Sequence, residues 1–260
     1  MSATIPLTAE KNDSIKLAVD LETADFSKID LLKLQFGQFL IAFGRGKATP
    51  GIGSANAATA AICCALLKTV CTLTLNHRRV DQERKDRVRR FYTGILCPNE
   101  PNVRDTIQRD TVVFNGYIQH LKAYNAASED NVRRYHAHNM LLELRPATDL
   151  PLKLAGWCLD IAEGGVELFD NLLETARGDS LGSLKGLAKT AEDSTYLVYL
   201  NLDESDNIKA KNKIELDEAW WTQKFQHAEA IDKRRKALQS RLNEKSDSLK
   251  QAISMNHGLV

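Results

Sequence analysis

The sequence has few signals of β-structure and none of an oxidised, secreted protein. Strand-turn-strand patterns are absent, and residues 198–202 are the one segment that suits a strand. The polar, acid-bearing N-terminus does not read as a secretory signal. The five cysteines form no C-x-x-C pair and no disulfide framework, which indicates reduced thiols and a cytoplasmic location: Cys63, Cys64, Cys71, Cys97 and Cys158.

The chain also lacks an excess of charge of either sign. Its 260 residues carry a net charge of +1, with 27% charged residues, so no global field favours nucleic acid or a membrane surface. The basic run 84–90 is interrupted by acids and has no aromatic platform for stacking bases, which predicts a solvated helix face. We therefore expect neither nucleic acid nor a membrane as a partner.

Metal-ligand spacing is missing as well. His136 and His138 are two residues apart on a predicted helix, so their side chains point to different faces. The cysteines supply no ligand pattern either. The sequence predicts no metal site.

Long apolar runs are scarce, and residues 55–75 form the exception. This segment is long enough to raise the question of a membrane span. It contains Asn56, Lys68 and several threonines, and much of the remainder is alanine. A lysine near mid-helix is costly in a bilayer, so the pattern favours a core helix that packs closely against its neighbours or forms a homodimer seam.

What the sequence does contain is helical periodicity, and the predicted fold class is an all-α, multi-helix bundle. We divide the chain into a flexible N-terminal arm (1–25), a helical domain (26–205) and a charged C-terminal helical extension (206–260). The extension has a narrow apolar seam, suited to packing on a partner or across the core. The predicted helices span 26–43, 55–75, 77–90, 103–124, 128–144, 152–176 and 181–202, with breaks at 97–102, 146–151 and 177–179.

The most informative motif is residues 49–54, which read Thr-Pro-Gly-Ile-Gly-Ser. Gly51 and Gly53 permit tight backbone geometry, Pro50 stiffens the entry, and Ser54 suits the N-cap of the helix that follows. A helix N-terminus behind such a loop is a natural site for an anionic or carbonyl-bearing ligand. A plain glycine turn before a buried helix is the alternative, because short glycine motifs are weak evidence.

Three segments taken together resemble the cyclodeaminase/cyclohydrolase family. They are residues 49–54 with the alanine-rich helix, residues 107–115 (IQRDTVVFN) and residues 147–155 (ATDLPLKLA). The corresponding family motifs usually read P-G-G-G-S, D-x-D-A-x-A-F and A-T-x-V-P-L-x-L-A. Residues 190–202 resemble the family's closing N-V-x-I-N-L helix, with Leu200-Asn201-Leu202 matching best. The resemblance covers about residues 26–202 and implies an α-helical homodimer that binds folate in a crevice near the dimer seam.

The chain departs from the family pattern at several positions. Ile52 replaces the middle glycine, and Gln108 replaces the first acid of D-x-D. Residues 111–113 replace small and acidic residues, and Leu184 stands where an acid is common. These departures touch candidate site positions and favour a non-catalytic relative that keeps the dimer for binding or assembly.

The resemblance implies roles for particular residues. Asp110 matches the retained acid and would be the acid/base group, while Gly51, Gly53 and Ser54 would face the ligand. Arg78, Arg79 and Lys47 would meet the carboxylates of the folate tail. Asn201 is a further substrate-binding candidate, in the closing helix. From the residues alone, Asp110 is better explained as a solvated acid paired with Arg109 or Arg104, and Arg78 and Arg79 could equally be part of a solvated basic face.

The expected function is therefore a folate-dependent one-carbon enzyme, with a tetrahydrofolate derivative as substrate and no metal. It would act as a methenyltetrahydrofolate cyclohydrolase or a formimidoyltetrahydrofolate cyclodeaminase. The absence of a formiminotransferase half leans towards the cyclohydrolase. The alternative from a different class is the non-catalytic dimeric relative.

Overall fold

The computed structural model describes residues 25–256, so residues 1–24 of the expected N-terminal arm lie outside it. The described residues form an all-α bundle without strands, which confirms the predicted fold class. Its helices are α1 (Phe36–Gly44), α2 (Ile52–Asn76), α3 (Gln82–Phe91), α4 (Cys97–Ala126), α5 (Asp130–Leu168), α6 (Arg177–Asn212) and α7 (Glu218–Asn256).

Helix α2 lies against α4 and α6 in the core of the bundle. Its buried side chains are small, among them Ala57, Ala60, Cys63 and Cys64, and this lets the neighbouring backbones approach closely. By length and composition alone, α2 could cross a membrane, a test that core helices of soluble proteins also pass. The opposite face of α2 is exposed and carries apolar side chains.

Two predicted breaks are wrong, because the prolines there lie inside helices. Residues 97–102 form the start of α4, with Pro98 in the first turn and Pro101 one position beyond it. A π-helical turn, Tyr92–Leu96, joins α3 to α4. The connector predicted at 146–151 is a continuous part of α5, which contains Pro146 and Pro151.

A tertiary hydrogen bond explains why α5 continues through Pro151. Proline has no N–H, so Pro151 leaves the carbonyl of Ala147 without its helical donor. The Nδ2 of Asn201, on α6, donates to that carbonyl at 2.8 Å. Thr148 lies inside the same helix, and its hydroxyl donates to the Leu144 carbonyl at 2.7 Å. The helix survives its proline because a neighbouring helix supplies the missing donor.

Other predicted boundaries shift. The first predicted helix shortens to α1, which follows a 3-10 turn at Leu31–Lys33, and the basic helix begins only at Gln82. α5 ends at Leu168, two 3-10 turns follow, and Arg177 begins α6 rather than ending a helix. α6 continues to Asn212, so residues 198–202 are helical and not a strand.

The charged C-terminal helix packs on its own protomer, against α5 and α6. The apolar seam predicted from the sequence lies at this contact, with Trp221, Ala228, Ile231, Leu238 and Leu242 buried. Arg234 adds an ionic contact, since it reaches Asp160 and Glu163 on α5, each at 2.7 Å.

Candidate active site

The site forms where the N-terminus of α2 meets the middle of α4. Helix α2 begins at Ile52, and Gly51 is the N-cap residue, which has no side chain to cap the first turn. The predicted N-cap at Ser54 is therefore wrong, because Ser54 is already the third residue of the helix. Its backbone N–H belongs to the group of donors that an α-helix leaves free at its N-terminus.

Asp110 of α4 fills the role of the absent cap. Its Oδ2 accepts the backbone N–H of Ser54 at 2.8 Å and the Ser54 hydroxyl at 3.0 Å. The same hydroxyl lies 3.1 Å from the Thr111 Oγ1, so Ser54 is tied to two consecutive residues of α4. The ligand anion expected at this helix terminus is thus replaced by the protein's own carboxylate, which the helix dipole also favours.

Gly53 is required for the close approach of the Asp110 carboxylate to helix α2. A Cβ atom at position 53 would collide with all three terminal atoms of the Asp110 side chain. Gly51 is more tolerant, since a Cβ there would meet only the Ala48 carbonyl oxygen, at 3.1 Å. Gly53, the second glycine of the motif, therefore makes room for the Asp110 side chain.

A cavity of about 130 Å³ opens beside Asp110. Gly51, Ile52 and Gly53 at the start of α2 line it, together with Asn201 of α6. None of the residues that line it is basic, so the carboxylate has no neutralising partner there. The remaining lining residues are apolar: Ala48, Phe114, Ala147, Pro151 and Leu197.

Burial raises the pKa of Asp110, while its two hydrogen bonds from Ser54 act in the opposite direction. A carboxyl group with a raised pKa takes up a proton more readily and is a better general base when ionised. Perturbed titration in a cavity is typical of functional sites. Asp110 therefore has the environment expected of an acid/base group.

The predicted pairing of Asp110 with an arginine does not occur. Asp110 forms no ion pair within residues 25–256, and Arg104 instead approaches Glu100 at 3.9 Å. Ser54 is fully buried behind Asp110, so it holds the carboxylate without reaching the cavity. The Nδ2 of Asn201 is engaged by the Ala147 carbonyl, although the residue lines the cavity.

The predicted tail-binding residues are divided between two places. Lys47 is exposed and immediately precedes Ala48, at the rim of the cavity. Arg78 and Arg79 are exposed just past the other end of α2. A helix of 25 residues is about 37 Å long, so these arginines lie far from Asp110 of the same protomer.

Phe114, Pro151 and Leu197 line the cavity, and sequence reasoning did not assign them to the site. Phe114 lies four residues after Asp110, one helical turn away, and that spacing could have identified it. Pro151 could not be found this way, because it was assigned to a connector. Among residues 25–256, no group of three or more histidine, cysteine or acidic side chains is arranged to hold a metal ion.

Comparison with known proteins agrees with the motifs. A family model described as formiminotransferase-cyclodeaminase matches residues 35–218. The chain belongs to the formiminotransferase-cyclodeaminase family. The fold is similar to that of formiminotetrahydrofolate cyclodeaminase from Thermotoga maritima, with a TM-score of 0.65 and 15% identity over 85% of this chain and 99% of that one. No curated protein matches the sequence.

Two departures from the family pattern have structural explanations. Gln108 accepts the backbone N–H of Leu31 at 2.9 Å and donates to the carbonyl of Phe26 at 3.1 Å. An ionised acid at position 108 could not make the second bond. Leu184 is fully buried and packs against Gly165, in the core.

The third departure, Ile52, lies at the cavity itself. Its side chain is 57% exposed, so it contributes to the mouth of the cavity rather than filling it. The space beside Asp110 therefore remains open despite this side chain.

Proposed function

We propose that this protein is a folate-dependent one-carbon enzyme, which hydrolyses 5,10-methenyltetrahydrofolate or cyclises and deaminates 5-formimidoyltetrahydrofolate. The observation that carries the proposal is the Asp110 carboxylate, which lines a cavity and has no basic partner there. Both substrates present a carbon between nitrogen atoms that shares a positive charge. An unneutralised carboxylate in an apolar cavity suits such a group.

For the hydrolysis, Asp110 would act as the general base. The oxygen of a water molecule bonds to the bridging carbon while Asp110 accepts a proton from that water. One of the two carbon–nitrogen bonds then breaks as Asp110 returns that proton to the departing nitrogen, and the new hydroxyl group releases its own proton to the solvent and becomes the formyl carbonyl. A carboxylate that only attracts the cationic ground state would not accelerate the reaction, so its position relative to the attacking water is decisive.

For the cyclodeamination, the same group would transfer a proton in a different order. A nitrogen of the folate attacks the formimidoyl carbon and gives a proton to Asp110. The carboxyl group then protonates the amino group that leaves as ammonia. The raised pKa of Asp110 favours both halves of this transfer, because the group must accept and release a proton at similar pH.

Ser54 and Gly53 would act as positioning residues in either reaction. Ser54 holds one carboxylate oxygen through two hydrogen bonds, and Gly53 lets the carboxylate lie against the helix. Lys47 would meet a carboxylate of the folate tail, because it is exposed at the rim. We also propose a homodimer, since α2 keeps an exposed apolar face.

The test is the decay of methenyltetrahydrofolate absorbance with the wild-type protein, with Asp110→Asn and with Asp105→Asn. Asp105 is an exposed carboxylate on the same helix, so its variant controls for the loss of one charge. We expect catalysed decay with the wild type and the control, and a loss of about 10²–10⁴-fold with Asp110→Asn.

The same three proteins should then be tested with 5-formimidoyltetrahydrofolate, with release of ammonia as the readout. Catalysis of neither reaction by the wild-type protein would contradict the enzyme proposal. Folate binding without turnover of either substrate would support the non-catalytic relative, in which the departures from the family motifs have removed the chemistry.

A further inference from the structure

We propose that His120 and His136 form a binding site for a divalent late transition metal, represented by Zn²⁺, which joins α4 to α5 near the turn between them. The two imidazoles come from neighbouring helices, and Glu143 supplies a carboxylate at the same contact between α4 and α5. The site lies about 15 Å along α4 from Asp110, so the inference does not depend on the proposed function. Three observations carry it: the distance between two ring nitrogens, a carboxylate without a partner and the form of the helical hairpin.

The two imidazoles face each other through equivalent atoms. The Nδ1 of His120 lies 3.1 Å from the Nδ1 of His136, and the ring centroids are 5.4 Å apart. Two nitrogens that each lie about 2.0–2.1 Å from one zinc ion, at angles between about 90° and 109°, are themselves about 2.8–3.4 Å apart. The observed spacing falls within this range. A metal ion can therefore replace the proton that lies between the two nitrogens, once both ring lone pairs turn towards it.

The histidine pair is also accessible to an ion from solvent. Both rings are half-buried, and their Nδ1 atoms are engaged with each other. Imidazole nitrogen is the commonest protein ligand for such metals, through either Nδ1 or Nε2. It suits zinc, nickel and copper better than calcium or magnesium, which prefer oxygen. A metal held between these rings keeps positions open for water, because two protein nitrogens do not complete its coordination.

The second observation is a carboxylate at the same contact between the helices. Glu143 of α5 lies against Gly116 of α4, where an added Cβ would collide with the carboxylate. Gly116 precedes His120 by one helical turn, and helical side chains lean towards the N-terminus, so the ring of His120 leans towards Glu143. Among residues 25–256, Glu143 has no ion pair or hydrogen bond. A carboxylate without a partner favours a cation here and can join its ligands directly or through water.

The arginines in the first turns of α5 are engaged by backbone oxygen atoms. Arg133 donates to the Ala127 carbonyl at 2.9 Å, and Arg134 donates to the Lys213 carbonyl at 3.2 Å. Their charges are therefore held at the turn between α4 and α5 and just past the end of α6. The histidine pair is not occupied by either of these protein cations, which leaves it available to a metal ion.

The third observation is the form of the hairpin, which indicates what a bound metal would do. Helix α4 ends at Ala126 and α5 begins at Asp130, and residues 128–135 are exposed. His120 and His136 lie equally far from this turn, nearly two helical turns inside each helix. Elements with little burial open most readily. A metal that bridges the two imidazoles would hold the helices together at this weakly buried end.

Ligand spacing along one helix does not reveal this pair. His138 is exposed and lines a separate cavity with Arg134 and Lys213, so it does not join His136. The neighbour of His136 is His120, sixteen residues earlier and on a different helix. The two histidines form a two-ligand core, which is compatible with the absence of a three-residue metal group among residues 25–256.

The test is zinc binding by the full-length protein, purified without a polyhistidine tag. Calorimetry should find one Zn²⁺ site per chain in the wild type and in His138→Ala, the matched control on the same helix. His120→Ala and His136→Ala should each weaken the affinity at least about tenfold, because either change leaves a single imidazole. Glu143→Gln should weaken it by a smaller factor. Mg²⁺ and Ca²⁺ should not compete with Zn²⁺ for the site.

Thermal unfolding and hydrogen exchange measure whether the metal joins the two helices. Zn²⁺ at about a hundred times its Kd should raise the Tm of the wild type and of His138→Ala by about 5 °C. It should leave the Tm of His120→Ala and of His136→Ala unchanged. In the wild type, Zn²⁺ should slow amide exchange at residues 121–135, which surround the turn. Slower exchange confined to other parts of the chain would contradict the proposal.

Two further results would overturn it. A wild-type protein that binds no Zn²⁺ would show that the two imidazoles form a hydrogen bond and no metal site. Equal affinity of the wild type and both histidine variants would place the ion elsewhere. X-ray absorption at the zinc edge decides without any variant: nitrogen ligands at about 2.0–2.1 Å with imidazole scattering are expected, and sulfur at about 2.3 Å would contradict the site. All of these measurements are made without folate, so they stand apart from any failure of the proposed function.

Discussion

The two ends of α2 are both secured by a side chain that bonds to the backbone of another element, yet the groups used are different. At the N-terminus, the carboxylate of Asp110 accepts the N–H of Ser54. At the C-terminal end, the neutral hydroxyl of Thr74 accepts the N–H of Leu173 at 3.1 Å and donates to the Val70 carbonyl at 2.8 Å. Only the first of these lies at a cavity.

The difference indicates which end of α2 has the environment of a functional site. A buried hydroxyl satisfies a backbone donor at a lower desolvation cost than a buried carboxylate does. Thr74 therefore suffices where the requirement is structural. Asp110 is buried despite that cost, which is seen in its raised pKa, and perturbed pKa values of this kind are typical of functional sites. The following predictions test this contrast.

Among substitutions of the residues that position Asp110, Gly53→Ala should have the largest effect. The added methyl group collides with the Asp110 carboxylate, so the carboxylate must move away from the helix. A displacement of about 1 Å at a reacting group costs on the order of 10²-fold in rate. Gly51→Ala is the matched control, because its methyl meets only one oxygen at 3.1 Å. Steady-state assays of both variants would contradict the geometry if the two lost activity equally.

Ser54→Ala should come next. It removes the hydroxyl that donates to Asp110, so the pKa of Asp110 should rise further and the rate at neutral pH should fall. The ascending limb of the pH–rate profile would then move to higher pH. Loss of a buried hydrogen bond to a charged group should lower the free energy of unfolding by about 2 kcal/mol.

Ser183→Ala provides the control for a buried serine. The Ser183 hydroxyl donates to the Asp179 carbonyl within its own helix, so its removal should leave the pH profile unchanged. A Ser54→Ala profile identical in shape to that of the wild type would show that Ser54 does not tune Asp110.

Sequence reasoning succeeded where local pattern determines the outcome. Helical periodicity gave the fold class, and four motifs gave the family. Gly51, Gly53, Asp110 and Asn201 were proposed as site residues and line one cavity, although their catalytic and binding roles stay predictions. The N-cap at Ser54 failed because the cap is supplied by Asp110, which is distant in sequence.

The proline errors have a similar origin. Pro151 predicts a break from local rules, and the donor that cancels the break comes from Asn201, fifty residues later. The position of Arg78 and Arg79 could have been questioned from the sequence, because a 25-residue helix separates them from the glycine motif. Tertiary hydrogen bonds, by contrast, leave no local signal.

The compensation of Pro151 by Asn201 can be measured in a double-mutant cycle. Asn201→Ala should lower the free energy of unfolding by about 1.5 kcal/mol, because a buried carbonyl loses its donor. In a Pro151→Ala background, the restored N–H can serve the same carbonyl, so the cost should fall by about 1 kcal/mol. Additive effects would show that the two residues do not share the Ala147 carbonyl.

Thr74→Val should have the smallest effect, and it tests the contrast between the two ends of α2 most directly. Thr74→Val keeps the shape of the side chain and removes both hydrogen bonds, so it should cost about 1 kcal/mol of stability at every pH and leave kcat/KM unchanged.

Asp110→Asn should have the opposite effects on stability and on activity. Because the folded-state pKa of Asp110 is raised, the unfolded chain loses its proton first as pH increases, and wild-type stability falls between the two pKa values. The variant should therefore gain stability relative to the wild type over that interval and keep the advantage at higher pH, while its activity is lost. Urea unfolding at several pH values would measure how the stability difference between Asp110→Asn and the wild type changes with pH. A difference that does not depend on pH would mean that burial does not penalise the charged carboxylate. The contrast in desolvation cost between the two ends of α2 would then be wrong.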